Sequence, residues 1–290
     1  MWQSIKKLDK WLDTHWVFLL FLPIVLVLRV PGFSEPYWYG DEGIYLAIGN
    51  ALNHGQRLYA DIVDHKTPLI YYFAQVPSQV TFRVLLTVWM LSATGFFYST
   101  LRSLTKTRVA AIVGLSLFTL CTTLPALEGN IPNGELFVIG FVLAGGAVLF
   151  KQPITARLMS GARSSLPTIQ TIPFWPTLIA GVGTGLGLLV KVPALFDAAA
   201  LTSVFYFIAL KTLRPTTWKQ QWTTLLSFAL KHWLVFAAGF FLPLSVSILY
   251  FWSIGAGSEY LEFGLLYNFH YSSNWGLGIE NPLLAWLFTL

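Results

Sequence analysis

Between Pro31 and Thr81 an otherwise apolar chain turns polar, and this stretch holds five carboxylates, two histidines and two cations: Glu35, Asp41, Glu42, Asp61, Asp64, His54, His65, Arg57 and Lys66. Carboxylates act as general bases, and cations stabilise anionic ligands and leaving groups. The run Tyr39-Gly-Asp-Glu-Gly-Ile-Tyr45, followed by Asp64-His-Lys-Thr-Pro-Leu-Ile-Tyr-Tyr72, therefore marks residues 31–80 as a place where proton transfer and anion binding can be combined.

Two short elements are expected to position these groups. From Asp41 to Gly55 the apolar residues Ile44, Tyr45, Ile48, Ala51 and Leu52 recur at helical spacing. They predict an amphipathic helix on the bilayer surface, with Asp41 as N-cap and Gly55 as its stop. Its first turn would carry Asp41 and Glu42, where free amides favour the ionised carboxylate that a base requires. Thr67 as cap, Pro68 at the first helical position and Pro77 as terminator predict a second helix directly after Lys66. A cation beside helix-start amides is suited to phosphate.

The surroundings are those of a membrane protein. Hydrophobic residues make up 55% of the 290-residue chain and charged ones 11%, against about 25% charged in soluble domains. With about 20 apolar residues needed per crossing, seven runs qualify or nearly do: 16–30, 81–101, 109–127, 135–150, 176–190, 192–210 and 233–252. Pro282–Leu290 begins like a partial eighth. The expected fold is all-α, a polytopic transmembrane helical bundle forming a single domain over 1–290, incomplete at its C-terminus, with residues 31–80 as an external catalytic loop. The segment from Gln152 to Pro176 reads as a linker. The one cysteine, Cys121, lies in an apolar run, which excludes a disulfide framework and predicts a buried, inert thiol.

Cations assigned to alternate sides divide unequally, thirteen on the side of the N-terminus and five, Arg29, Arg57, Lys66, Arg83 and Lys191, on the other. The positive-inside rule makes the N-terminus cytoplasmic and the acidic loop external, as for an integral protein of a plasma or inner membrane. The scatter of the cations excludes nucleic acid as a partner. Of the five outward cations, Arg29 reads as an interfacial anchor and the other four as candidates for an anion.

Tyr39-Gly-Asp-Glu-Gly-Ile-Tyr45 resembles the Asp-Glu motif of the GT-C class of membrane glycosyltransferases, in the family 39 group of protein O-mannosyltransferases and aminoarabinose transferases. His65-Lys-Thr-Pro-Leu-Ile-Tyr-Tyr72 resembles that family's Lys-Pro-Pro-Leu-x-Tyr-Tyr motif, with Thr67 in place of the first proline. Arg83, Glu128-Gly-Asn-Ile-Pro-Asn-Gly-Glu135 and Leu189-Val-Lys-Val-Pro193 resemble later landmarks. The resemblance implies sugar transfer from a polyprenyl-phosphate donor to a lipid, glycan or protein acceptor on the outer face, with inversion. Asp41 would be the general base, with Glu42 and Glu135 as further catalytic acids. Lys66, Arg57, Arg83 and Lys191 would bind the donor phosphate.

His65, Tyr71, Tyr72 and Asn133 are additional candidates, and Tyr39 and Trp38 offer rings to a sugar or prenyl group. No cofactor is required by this chemistry. A divalent cation on Asp41, Glu42, Asp61, Asp64, His54 or His65 is the alternative that oxygen ligands leave open. Asp197, inside the sixth run, is expected in a polar contact. Competing functions are a transporter or lipid flippase, against which the spans carry few ionisable groups, and a non-catalytic, truncated membrane subunit.

Overall fold

A computed structural model describes residues 2–36, 39–105, 107–152, 174–213 and 218–267. Pro282–Leu290, Trp38 and nearly all of the 152–176 linker lie outside the described residues. Among the described residues the chain is helical, with an isolated bridge between Leu58 and Ile62 and no strand. In order come α1 (Trp2–Arg29), α2 (Gly40–Asn53), α3 (Leu69–Phe73), α4 (Gln79–Leu104), α5 (Arg108–Thr123), α6 (Gly134–Phe150), α7 (Phe174–Leu188), α8 (Ala194–Leu213) and α9 (Trp218–Ser253).

All seven predicted apolar runs fall on helices. Among the described residues three stretches, His15–Ser34, Gln79–Leu104 and Leu230–Ser253, are long and apolar enough to cross a membrane. Helices α5, α6, α7 and the Ala194–Phe207 part of α8 are apolar but shorter; the 15 residues of α7 reach about 22 Å at 1.5 Å per residue, short of a hydrocarbon core of about 30 Å.

Local chemistry explains the helix starts. Ser78, Thr107 and Asn133 each accept a hydrogen bond from the backbone N–H three residues on, capping α4, α5 and α6. Helix α7 is central, packed on α6, α8 and α9. A Cβ on Gly181 would fall 2.2 Å from the Phe236 carbonyl oxygen, and one on Gly239 2.2 Å from that of Leu178. These backbones touch directly, the small-residue packing that brings helices together in a lipid environment where burial of apolar area gives little.

Large apolar side chains left outside, including Val113, Leu117, Leu234, Phe241 and Leu249, suit lipid contact. Cys121 is exposed on α5 rather than buried; it sits on the outward face of a helix whose inward face holds Leu115 and Thr119. Asp197 is exposed in the first turn of α8.

Candidate functional site

The polar residues gather where the ends of α1, α6, α7 and α9 meet α2 and α3. Helix α2 buries Glu42, Tyr45, Ile48 and Gly49. It lies against α3 so closely that a Cβ on Gly49 would come within 2.2 Å of the Ala74 carbonyl oxygen. It is thus docked on the protein as well as amphipathic. Its N-cap is Tyr39, not Asp41, which occupies the first turn together with Glu42. The carboxylate is still at the helix start, where the dipole favours its charge.

The neighbours Asp41 and Glu42 face different surroundings. Glu42 is 0% exposed and pairs with Arg83, itself 1% exposed. Arg83 Nε donates to Glu42 Oε1 at 2.7 Å and Nη2 to Oε2 at 2.7 Å, while Nη1 donates to the carbonyls of Glu35, at 2.7 Å, and Gly32. Gln79 adds a bond to Glu42 Oε2 at 3.1 Å. All three guanidinium nitrogens are engaged within this arrangement, and both side chains are closed off from solvent. Together they fasten α2 and the 32–35 turn to α4.

Asp41 opens toward the outside. Its Oδ1 accepts from Lys66 Nζ at 2.8 Å and its Oδ2 from the Tyr45 hydroxyl at 3.1 Å. The Lys66 ammonium lies 4.8 Å from the centre of the Tyr45 ring. Burial would raise the Asp41 carboxyl, but the hydrogen bond and charge of Lys66, the Tyr45 hydroxyl and the charge of Lys191 together hold it below its ordinary value. Burial, followed by the charge of Asp41, pushes the Tyr45 hydroxyl well up and keeps it a donor.

The first amide of the helix after Lys66 is already taken. Helix α3 has five residues and begins at Leu69, with Pro68 as N-cap and no side-chain cap from Thr67; the Leu69 N–H already donates to the Leu189 carbonyl at 2.8 Å. The element ends at Phe73, ahead of Pro77. The Thr67 hydroxyl is fully buried without a hydrogen-bond partner. Lys66 is instead anchored by its carbonyl, which accepts from the Tyr59 hydroxyl. Tyr59 has φ +66°, an outlier for a bulky residue, and its ring packs on Phe251 and Tyr260.

Lys191 and Glu135, expected as anion ligand and acid, form an ion pair between the turn after α7 and the start of α6. Gly134 completes this corner: a Cβ there would lie 3.4 Å from Lys191 Cδ and 3.7 Å from the Tyr45 hydroxyl. Asn133 caps α6 and contacts Glu128 through its amide at 3.4 Å. The Glu128 carboxylate also accepts from the Tyr39 hydroxyl, whose proton is held by burial and by the nearby charges of Asp41, Glu128 and Glu135.

The remaining candidates have structural partners. Arg57 is bound to Asp61 through Nε and Nη2 at 3.0 Å and donates to the Ile254 carbonyl at 3.2 Å, so it ties loop to loop rather than joining the Asp41 cluster. Asp64 accepts from the Tyr71 hydroxyl at 2.5 Å and contacts His65 Nδ1 at 2.9 Å, while the His65 ring meets that of Tyr267. Tyr72 is half-buried, with its hydroxyl against that of Tyr250. Among the described residues no three His, Cys, Asp or Glu side chains converge as a metal site.

Sequence reasoning missed Tyr59, Tyr45 as an Asp41 partner, and a buried histidine within the α9 span, His232, which meets Thr177 at 3.0 Å. Tyr45 carried a signal, four residues after Asp41 and therefore on the same helix face; His232 carried only the oddity of an imidazole in an apolar run. No known protein family, curated protein or solved structure matches this chain.

Proposed function

We propose that this chain is a membrane glycosyltransferase that moves a sugar from a polyprenyl-phosphate donor to a lipid, glycan or protein acceptor at the outer face of a plasma or inner membrane. The observation that carries it is the contact of a half-open carboxylate, Asp41, with an ammonium, Lys66, beside the second pair Lys191–Glu135. Proton acceptor and phosphate partner are thereby within one small space.

In the reaction, the acceptor hydroxyl oxygen attacks the anomeric carbon from the face opposite the phosphate. Its proton passes to Asp41 as the new carbon–oxygen bond forms. The bond from the anomeric carbon to the phosphate oxygen breaks with its electron pair, and the extra negative charge on the phosphate is stabilised by Lys66 and Lys191. Configuration inverts, and Asp41 afterwards loses the proton to water. Glu135, paired with Lys191 at the rim, is available to orient the acceptor.

This reading carries a topology: seven crossings with a partial eighth, a cytoplasmic N-terminus, and residues 31–80 outside. Asp41→Asn should lower transfer of labelled sugar from polyprenyl phosphate in membranes by about 10²–10⁴-fold, and transfer equal to the parent's overturns the assignment. A reporter inserted after residue 60 should be external; a cytoplasmic signal overturns the orientation.

A further inference from the structure

Resting on that reading, one feature of the site conflicts with it. A general base needs an oxygen lone pair open to the incoming hydroxyl. Here each Asp41 oxygen already accepts one bond, Oδ1 from Lys66 and Oδ2 from Tyr45, which fills about two of the carboxylate's four lone-pair sites and makes it a weaker base. A phosphate ligand likewise needs an ammonium that is not already neutralised, yet Lys66 is spent on Asp41 and its side chain is only 8% exposed.

We infer that the two defects cancel by exchange: an anionic phosphate headgroup takes the Lys66 ammonium away from Asp41, so that donor binding itself frees the base. The main chain around Lys66 is fixed, its carbonyl held by the Tyr59 hydroxyl and the following turn by the bond from Leu69 N–H to the Leu189 carbonyl. What can move is the four-carbon stem. The Tyr45 ring 4.8 Å from the ammonium gives it an apolar and weakly attractive surface to slide along.

The other pairs do not serve. Glu42 and Arg83 are sealed, and Arg57 is bound to Asp61 and to the Ile254 carbonyl. Lys191 is paired with Glu135, though its charge acts on Asp41. After the exchange Lys191 and Tyr45 remain near Asp41 and keep it ionised, with Oδ1 open. The consequence is order: without a phosphate-bearing ligand the base is held by Lys66 and weakened, and an acceptor arriving first meets a carboxylate less able to take its proton.

The test measures binding and needs no turnover. The full chain in lipid nanodiscs is titrated with polyprenyl phosphate. Asp41→Asn should bind about tenfold more tightly than the parent, because no ion pair has to open. Asp41→Ser should behave the same and serves if the asparagine variant fails to fold. In Lys66→Met binding should fall at least about tenfold, and Asp41→Asn added to it should restore nothing.

Unchanged or weaker binding by the Asp41 variants overturns the exchange while leaving the donor site standing. Parental binding by Lys66→Met overturns the donor site and the exchange with it. Inorganic phosphate in the same titration separates the sources: a lipid bound far more tightly than phosphate assigns the headgroup to the membrane, and equal binding assigns it to free phosphate, which overturns the lipid donor.

Discussion

Asp41 and Glu42 are consecutive carboxylates on the first turn of one helix, each salt-bridged to a cation, and they do opposite work. Successive helix residues point about 100° apart. That rotation sends Glu42 inward against Arg83 and leaves Asp41 with a side chain 25% exposed at the site. Enclosure decides the role. A sealed pair contributes position, because neither partner can be solvated apart from the other; a half-open pair leaves room for a ligand to replace one partner.

The largest expected effect comes from breaking the sealed pair. Arg83→Ala leaves Glu42 charged and enclosed, a change of about 3–5 kcal/mol, read as a fall in Tm or loss of monodisperse protein in detergent. A Tm equal to the parent's would erase the contrast between the pairs. Next, Asp41→Asn should lower transfer by about 10²–10⁴-fold with a Tm much nearer the parent's than that of Arg83→Ala.

Acid should weaken the half-open pair in a set direction. The Asp41 carboxyl is lowered in the folded chain from its ordinary 3.8. Its stabilising contribution is therefore complete above that value and is lost as pH falls through the lower folded value. Asp41→Asn should flatten the dependence of Tm on pH in that acidic window, and an unaltered slope would count against the pair. The smallest effect belongs to Arg57→Ala, whose pair with Asp61 is exposed to water. No resolvable change in Tm is expected.

Much of this was legible in the sequence because it is local. The helix expected from Asp41 to Gly55 is Gly40–Asn53, written in its apolar spacing. Glu42 lies on the stripe of Tyr45 and Gly49, at steps of three and four, so its burial was legible in principle too. What spacing could not supply were contacts across the chain. Arg83 lies 41 residues from Glu42, and Lys191 lies 56 from Glu135; such pairs follow from helix packing. Asp61 and Asp64 find their partners nearby, Arg57 four residues before Asp61, and His65 and Tyr71 one and seven residues after Asp64, but in a loop whose turns apolar spacing does not describe. Thr67 misled because its hydroxyl, typical of a cap, is buried without capping anything.

Arg29, expected at the interface, is buried at the end of α1, and its Nη2 donates to the carbonyls of Thr122, 93 residues later, and of Gly129, 100 residues later. Those acceptors do not exist when the first helix is made. At about 5–20 residues per second, roughly 5 to 20 seconds of synthesis separate the guanidinium from its partners. During that interval the arginine lacks these two carbonyls, and the end of the first helix cannot take the contacts it makes in the finished fold. Arg29 is in this sense a timer: it lets the corner that holds the 32–35 turn close only after residues 122–129 have been made.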